Sequence, residues 1–415
     1  MAAITSLGIP ATLQTFEATH QAARLRLDGI DPTAYARSRN ALDGAVTGLS
    51  PYFTHGLLSL PDAARAIHTR RALGFDDKLV FEFGWREFFH HVWAHQKNPD
   101  AILENMNGAA VWPGRYANTL PLDIRRGCTG VAAIDNAVRV LYATGYLHNH
   151  ARMWLASYVV HVRKVDWRAG ADWLYGHLLD GDLPSNHLSW QWVAGTFSSK
   201  PYLFNAENVL KYAPVSAQSA WDCSGTSVDQ SYEAMDEMAR VRSAAGPEPG
   251  AHDAIEEPPL MRQYRLPNSL PSQSEQAQKA IKNMAGKPLE LVHPWSLSQP
   301  PAVGERPGGL RIGIIHQPAH ADWPWSERRW KFVLQAMGAI TDGIWMGDLA
   351  ALDTSAASSV TAQATLFPGY RQALSNIATL TPEPRLLPSP SIACRSFSKF
   401  YERARRDVGQ FGDLL

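Results

Sequence analysis

Between residues 46 and 212 the apolar positions recur with helical spacing. Val131, Ile134, Val138, Leu141 and Tyr142 fall on one helical face, and Trp154, Leu155, Tyr158 and Val159 repeat the arrangement in the next segment. No long β-type alternation interrupts this stretch, so it is expected to be all-α. A shorter helical pattern runs from Phe16 to Leu27 and ends at Gly29 and the Asp31-Pro32 step. Residues 243–310 are rich in Pro, Ser, Gln and Gly and in turn dipeptides, with a short helix from Ser231 to Val241 ahead of them. They read as a long wrapping connector, partly ordered, with a disordered linker as the alternative. Beyond residue 310 the pattern changes again. Arg311–Ile315 is a short apolar run expected to form a buried strand, and Ser326 fits an N-cap with Glu327 in the first turn. Trp330, Val333, Leu334 and Met337 mark an amphipathic helix, and Gly343–Met346 a second strand. Strand, helix, strand predicts a small α/β unit with parallel pairing. The organisation expected is a mainly α protein: an all-α domain over 1–221, the connector over 222–310 and a small α/β domain over 311–415.

Composition narrows the picture a little. Of 415 residues, 45% are hydrophobic and 19% charged, an ordinary globular balance with room for two or three domains. The 14 tryptophans are an excess; most are expected in cores, with two or three left for stacking or electron transfer. Cys128, Cys223 and Cys394 are far apart and form no CxxC, so no disulfide framework or cysteine-only metal site is indicated. Three cysteines cannot supply a four-cysteine iron–sulfur cluster. There is no secretory leader pattern and no apolar run of the ~18 residues a membrane span needs. A cytoplasmic, monomeric protein without membrane contact is expected. The formal net charge is zero, so any nucleic-acid contact must rest on a local basic patch.

The chemistry is concentrated between Gly145 and Asn205. In order, this stretch holds His148-Asn149, Arg152-Met153, Asp166-Trp167-Arg168, Asp180-Gly181-Asp182-Leu183, Asn186 and Trp190-Gln191-Trp192. In those residues and their spacing it resembles the flavin-binding catalytic domain of the photolyase/cryptochrome family. The likeness extends over roughly residues 30–212. It implies a helical domain that binds FAD and light-driven chemistry on UV-damaged DNA.

The resemblance also implies roles. Thr47, Leu49 and Ser50 correspond to the family's Ser/Thr-x-Leu-Ser stretch at the FAD pyrophosphate, where hydroxyls and N–H groups at a helix start offer donors. Upstream, Tyr35 would contact the flavin region and Arg39 would face DNA. Glu82, Trp85 and Arg86 match E-x-x-W-R-E-F: Trp85 would stack on a base, Arg86 contact the cofactor, and Glu82 stabilise charge developing on a thymine carbonyl. Asn149, Arg152, Asp180, Asp182 and Asn186 would surround the isoalloxazine and ribityl groups, with Arg152 and Asp180 as an ion pair. Trp190 and Trp167 match the proximal and middle members of an electron relay; no Trp occupies the outer position, and Trp112 is the nearest candidate. Asn149 and Met153 are of the cyclobutane-dimer type, where enzymes for the (6-4) photoproduct place histidines. Trp192 would pack on the flipped bases. His150 stands where dimer enzymes usually have Arg. After Trp192 the stretch Ser198–Asn205 is short and lacks the family's Arg, leaving Lys200 as its basic residue. The resulting expectation is an FAD-dependent cyclobutane pyrimidine dimer photolyase that favours single-stranded DNA, where extruding the lesion is nearly free. A cryptochrome-like blue-light sensor without repair activity is the alternative. The family's antenna-bearing α/β domain is not found ahead of the flavin motifs, so no antenna chromophore is expected. SERRWKFVLQAM resembles a strand–helix step of that domain, which makes residues 311–415 a rearranged, trimmed copy of it or an unrelated appendage.

Overall fold

In the computed structural model the residues described are 2–96, 116–241, 244–248, 252–264, 271–299 and 309–415. Helices dominate, and capping residues explain where they begin. Thr19 accepts a bond from Ala22 N, so the first long helix runs His20–Asp28; Phe16 lies outside it and packs on Tyr146 at 5.2 Å. The Asp31-Pro32 step opens the next helix, Pro32–Ser38: Asp31 Oδ1 accepts from Thr33 N at 2.8 Å, and proline at the first position lacks only an N–H that has no intrahelical partner. Ala132–Thr144 ends on Gly145 in the left-handed region (φ 71°), where glycine alone avoids a Cβ clash.

Chain contacts group the protein into two units that interleave along the sequence and do not follow the linear order of the expected segments. One comprises Met1–Phe16, Asp31–Gly48 and Gln96–Pro259; the other comprises Glu17–Ile30, Leu49–His95 and Leu260–Leu415. The first is helical. Asn149–Ser157 runs into a π-helical turn at Tyr158–Val162, followed by Trp167–His177 and Leu183–Ala194. Their inner faces form one core with Ile134, Val138 and Leu141, as the periodicity predicts. The connector wraps this unit. Glu248 N bonds Thr129 O, Ile255 N bonds Arg126 O, and Glu257 accepts from Arg125 and Trp173 Nε1 at 2.6 and 2.9 Å.

The second unit holds the helices Leu60–Arg70 and Lys78–Ala94 and, among the described residues, a five-stranded parallel sheet. In chain order the strands are β1 (Leu260–Met261), β2 (Pro288–Val292), β3 (Leu310–His316), β4 (Trp325–Ser326), β5 (Gly343–Gly347), β6 (Ser359–Gln363) and β7 (Thr379–Thr381). The sheet order is β5-β3-β2-β6-β7, and β1 pairs with β4 in a separate antiparallel ladder. The two strands expected from sequence are β3 and β5, paired in parallel from Ile312↔Gly343 to His316↔Gly347, with the helix Glu327–Gly338 between them capped by Ser326. The unit is larger than that expectation. The central strand β2 comes from the stretch read as connector, and β6 and β7 come from residues that gave no strand signal. The first strand lies in the middle of the sheet and the order reverses beside it, the doubly wound pattern. Among the described residues no helix is long and apolar enough to cross a membrane.

Candidate functional site

In the helical unit the motif residues hold one another. Arg152 is anchored three ways. Its Nη2 donates to Asp180 Oδ2 at 2.7 Å, its Nε donates to Leu147 O at 2.7 Å, and its guanidinium lies over the Tyr146 ring at 5.4 Å. The Asp180 side chain is 3% exposed, so the pair is fixed on one side and open on the other, where Arg152 is 25% exposed. Asn149 is exposed, and its Nδ2 donates to Met153 Sδ one turn on. Asn186 donates to Ala171 O at 2.9 Å. Asp182 is buried and works as the N-cap of Leu183–Ala194, accepting from Ser185 N and Oγ. A fixed cation, a buried carboxylate and side-chain amides are the mixed donor and acceptor types that a heterocycle with ring N–H and carbonyl groups requires. These residues therefore fit a flavin.

The tryptophans are seated by the same two helices. Trp190 is 2% exposed and its six-membered ring packs against Gly170, one turn beyond Trp167 on its helix. A Cβ at Gly170 would fall inside the van der Waals envelope of Trp190 Cη2 and Cζ3. Trp167 is buried, its ring edge-on to His187 at 6.2 Å and under the Arg168 guanidinium at 5.0 Å. Trp192 faces outward at 36% exposure and leans on Tyr202. Tyr202 N ties the following loop back to Val193 O at 2.9 Å, and Lys200 is exposed at its tip. His150 packs on Tyr212 at 4.3 Å; burial and the nearby Arg39 push its imidazole down to about 4, so it carries no charge at neutral pH. Arg39 itself reaches Ala36 O and leaves its own carbonyl to His148 Nε2. Trp112 lies outside the described residues.

In the second unit the helix Lys78–Ala94 carries Glu82, Trp85 and Arg86. Trp85 is half-buried and stacks on Phe397 of the helix Phe397–Arg405, with centroids 4.2 Å apart and planes 9° from parallel. Glu82 is half-buried as well. Arg86, Glu87 and His90 line a cavity of about 490 Å³ together with Arg24, Glu383 and Arg385. Burial raises the Glu87 carboxyl, only partly offset by Leu386 N, which donates to it at 2.9 Å, and by Arg385. Burial acts the same way on Glu383, but His90, Arg86 and Arg385 together hold it below its ordinary value. One of the boundaries between the two units falls between Gly48 and Leu49, inside the Thr47–Ser50 stretch. Gly48 has φ 59°, and Ser50 opens a helix of five residues, Ser50–Thr54. Tyr35, on the helix Pro32–Ser38, is half-buried.

Residues 79–285 match the family described as the FAD binding domain of DNA photolyase. This segment is a FAD-binding domain of the photolyase/cryptochrome family. Among curated proteins, a deoxyribodipyrimidine photo-lyase of Streptomyces griseus is 35% identical over 152 residues, covering 37% of this chain and 32% of its own. One from Vibrio cholerae is 29% identical over 231 residues, covering 53% and 46%. The chain thus spans less than half the length of either relative. A solved cryptochrome of Synechocystis sp. PCC6803 aligns at TM-score 0.45 and 24% identity, over 58% of this chain and 55% of that one.

The photolyase-type match takes in Glu82, Trp85 and Arg86 and everything from Asn149 to Lys200, whereas Tyr35, Arg39, Thr47, Leu49 and Ser50 precede it. Three features of the site were not anticipated from sequence. Gly170 seats Trp190; its signal was a glycine in mid-helix, where it costs about 1 kcal/mol against alanine. Glu87 belongs to the E-x-x-W-R-E-F motif itself, and only its position beside the cavity distinguishes it. Phe397 lies outside the family match and gave no signal.

Proposed function

We propose that this protein is a light-dependent DNA repair lyase that binds FAD and splits cyclobutane pyrimidine dimers, preferring them in single-stranded DNA. The observation that carries the reading is the fixed Arg152–Asp180 pair, open on one side, on a helix that also presents Asn149 and Met153. Bound FAD would supply light absorption and the transferable electron. The chain's own residues do the rest. Arg152 holds a positive charge at a set place without a mobile side chain, which costs no reorganisation when charge moves. Asn149 offers a side-chain amide beside the thioether of Met153. Trp192 provides an exposed apolar plate for an unstacked base, and Trp85 a second one. Glu82, protonated, donates to a pyrimidine carbonyl as negative charge gathers there. Trp190 and Trp167, both buried, serve as relay members for electrons drawn from outside.

The preference for single strands is supported by what would have to grip a duplex. The loop Ser198–Asn205 is short and tied back onto Val193, Lys200 is its basic residue, His150 is neutral, and the whole chain has no net charge. Phosphate neutralisation dominates affinity for double-stranded DNA, so a weak basic surface penalises the duplex first.

The test is direct. The purified protein is photoreduced and illuminated with a dimer-containing oligothymidylate, single-stranded or annealed, with a dark control, and thymine absorbance is followed. Light-dependent recovery that falls at least tenfold in Glu82→Ala supports the reading. Equal rates on both substrates at one salt concentration would refute the strand preference. A protein that binds and photoreduces FAD yet restores no absorbance belongs with the blue-light sensors.

A further inference from the structure

The helix Phe397–Arg405 looks at first like an ordinary amphipathic surface helix. Its Arg405 and the following Arg406 are exposed, and Phe397, Phe400, Tyr401 and Ala404 are buried. What the buried face covers is the Lys78–Ala94 helix at the tryptophan of its E-x-x-W-R-E-F motif. Phe397 is the centre of a ring cluster. It stacks on Trp85 at 4.2 Å, meets Phe81 edge-on at 4.6 Å, and lies 5.3 Å from Tyr401 in a stacked pair. Tyr401 in turn donates its hydroxyl to Phe75 O at 2.6 Å and lies against Gly84, where an added Cβ would come within 2.9 Å of the ring. The residue just before Trp85 is therefore a glycine where a second helix must approach closely.

Two roles for such a partner would have opposite consequences. A removable plug would be loosely held, and lifting it would uncover little. Phe397 is 6% exposed and wedged among Phe81, Phe88 and Tyr401, so withdrawing it would expose all of them. It is a fixture. An indole has two faces; Phe397 stacks on one, and Phe88 and Phe89 border the ring at 5.7 and 5.5 Å, so a base that stacks on Trp85 would use the face opposite Phe397. Near-parallel stacking at 9° also sets the plane of the indole, and an offset-stacked aromatic pair resists tilting.

We infer that Phe397 is a positioning residue for DNA-lesion binding: from the far end of the chain it fixes the plane of Trp85 and makes it a one-sided stacking plate. This rests on the reading that Trp85 stacks on the lesion, and it gives the C-terminal helix a part in the substrate site.

The test uses the full-length holoprotein labelled with 5-fluorotryptophan, with Trp85→Phe assigning the Trp85 resonance. Phe397→Ala should shift or broaden that resonance without DNA. It should also raise the dissociation constant for a dimer-containing single strand about tenfold, the scale of one weakened base–aromatic stacking contact. Affinity for undamaged strand should stay unchanged. Phe397→Leu, which keeps an apolar side chain at the site but loses the flat face, should show the same loss, and Phe397→Tyr should restore both signals. In the double variant Trp85→Ala/Phe397→Ala, dimer binding should be no weaker than in Trp85→Ala alone. An unmoved Trp85 resonance in both Phe397→Ala and Phe397→Leu overturns the inference. So does unchanged dimer affinity in those variants when Trp85→Ala weakens it. Should Trp85→Ala itself leave dimer binding intact, the stacking role of Trp85 falls and the inference falls with it.

Discussion

The strip from Asn149 to Trp192 and the strip on the Lys78–Ala94 helix are both motif-rich, but they are held in different ways. In the first, the partners are close in sequence: Arg152 is set by Leu147 and Asp180, Trp190 by Gly170, and Asp182 by the helix it caps. In the second they come from the other end of the chain: Trp85 is set by Phe397, Glu87 by Leu386, and Gly84 faces Tyr401. One strip is a local construction. The other exists only once the α/β unit has folded around it.

The largest expected effect tests what the two share. His148 and His161 in the helical unit, and His293 and His320 in the other, are buried and neutral, their imidazoles pushed down by desolvation to about 3, 4, 4 and 3. The unfolded chain takes up protons from about pH 6.5 downward while the folded chain does not. Stability is therefore full above pH 6.5 and is lost as pH falls toward 4, at up to about 1.4 kcal/mol per pH unit for each histidine. Urea midpoints measured between pH 7 and 4 should fall accordingly, and His161→Gln should flatten the slope. Next comes Arg152→Ala. It leaves Asp180 buried without its counter-ion, at a cost of roughly 3–5 kcal/mol. It should also empty the flavin site, read as lost flavin absorbance in the purified protein.

The two glycines divide the strips more finely. Gly170→Ala forces Trp190 aside and should cost about 1–3 kcal/mol in unfolding experiments, together with slower light-driven reduction of the flavin. Gly84→Ala meets the edge of Tyr401 at 2.9 and 3.0 Å and Phe397 at 3.4 Å, but alanine favours the helix by up to about 1 kcal/mol, so its net cost should be smaller, about 1 kcal/mol. If Gly84→Ala proved the worse of the two, the local strip would be the more tolerant one and the comparison would reverse. Of similar size is Tyr401→Phe. It removes one hydrogen bond to Phe75 O, worth about 1 kcal/mol, and should leave flavin binding unchanged.

What could be read from the sequence follows the same division. Helix periodicity and caps act over a few residues, so the Ser326 cap, the β3–helix–β5 unit and the helical faces over residues 131–142 and 154–159 were all visible. The strand β2 was not, because PLELV begins with proline and carries a central glutamate, and it lies in a stretch whose composition suggests a linker. Nor were β6 and β7, whose sequences SVTAQ and TLT are short and largely polar; they are strands because a neighbour supplies the ladder. The start of the first long helix was misplaced because Thr19, three residues past Phe16, captures Ala22 N. Phe397 is an apolar residue on an amphipathic helix, and nothing local says which partner its ring will meet.

The parallel sheet has a consequence for how the protein behaves when crowded. Its two margins are poor templates for another chain. β7 is three residues long, and at the opposite margin β5 is covered by the helix Pro271–Lys282, whose Ser274 Oγ takes up Met346 N at 2.9 Å. A short margin and a covered one leave few open N–H and C=O groups for edge-to-edge growth. Concentrated solutions should therefore stay free of sheet-mediated polymers, and shortening the Pro271–Lys282 helix should expose the β5 margin first.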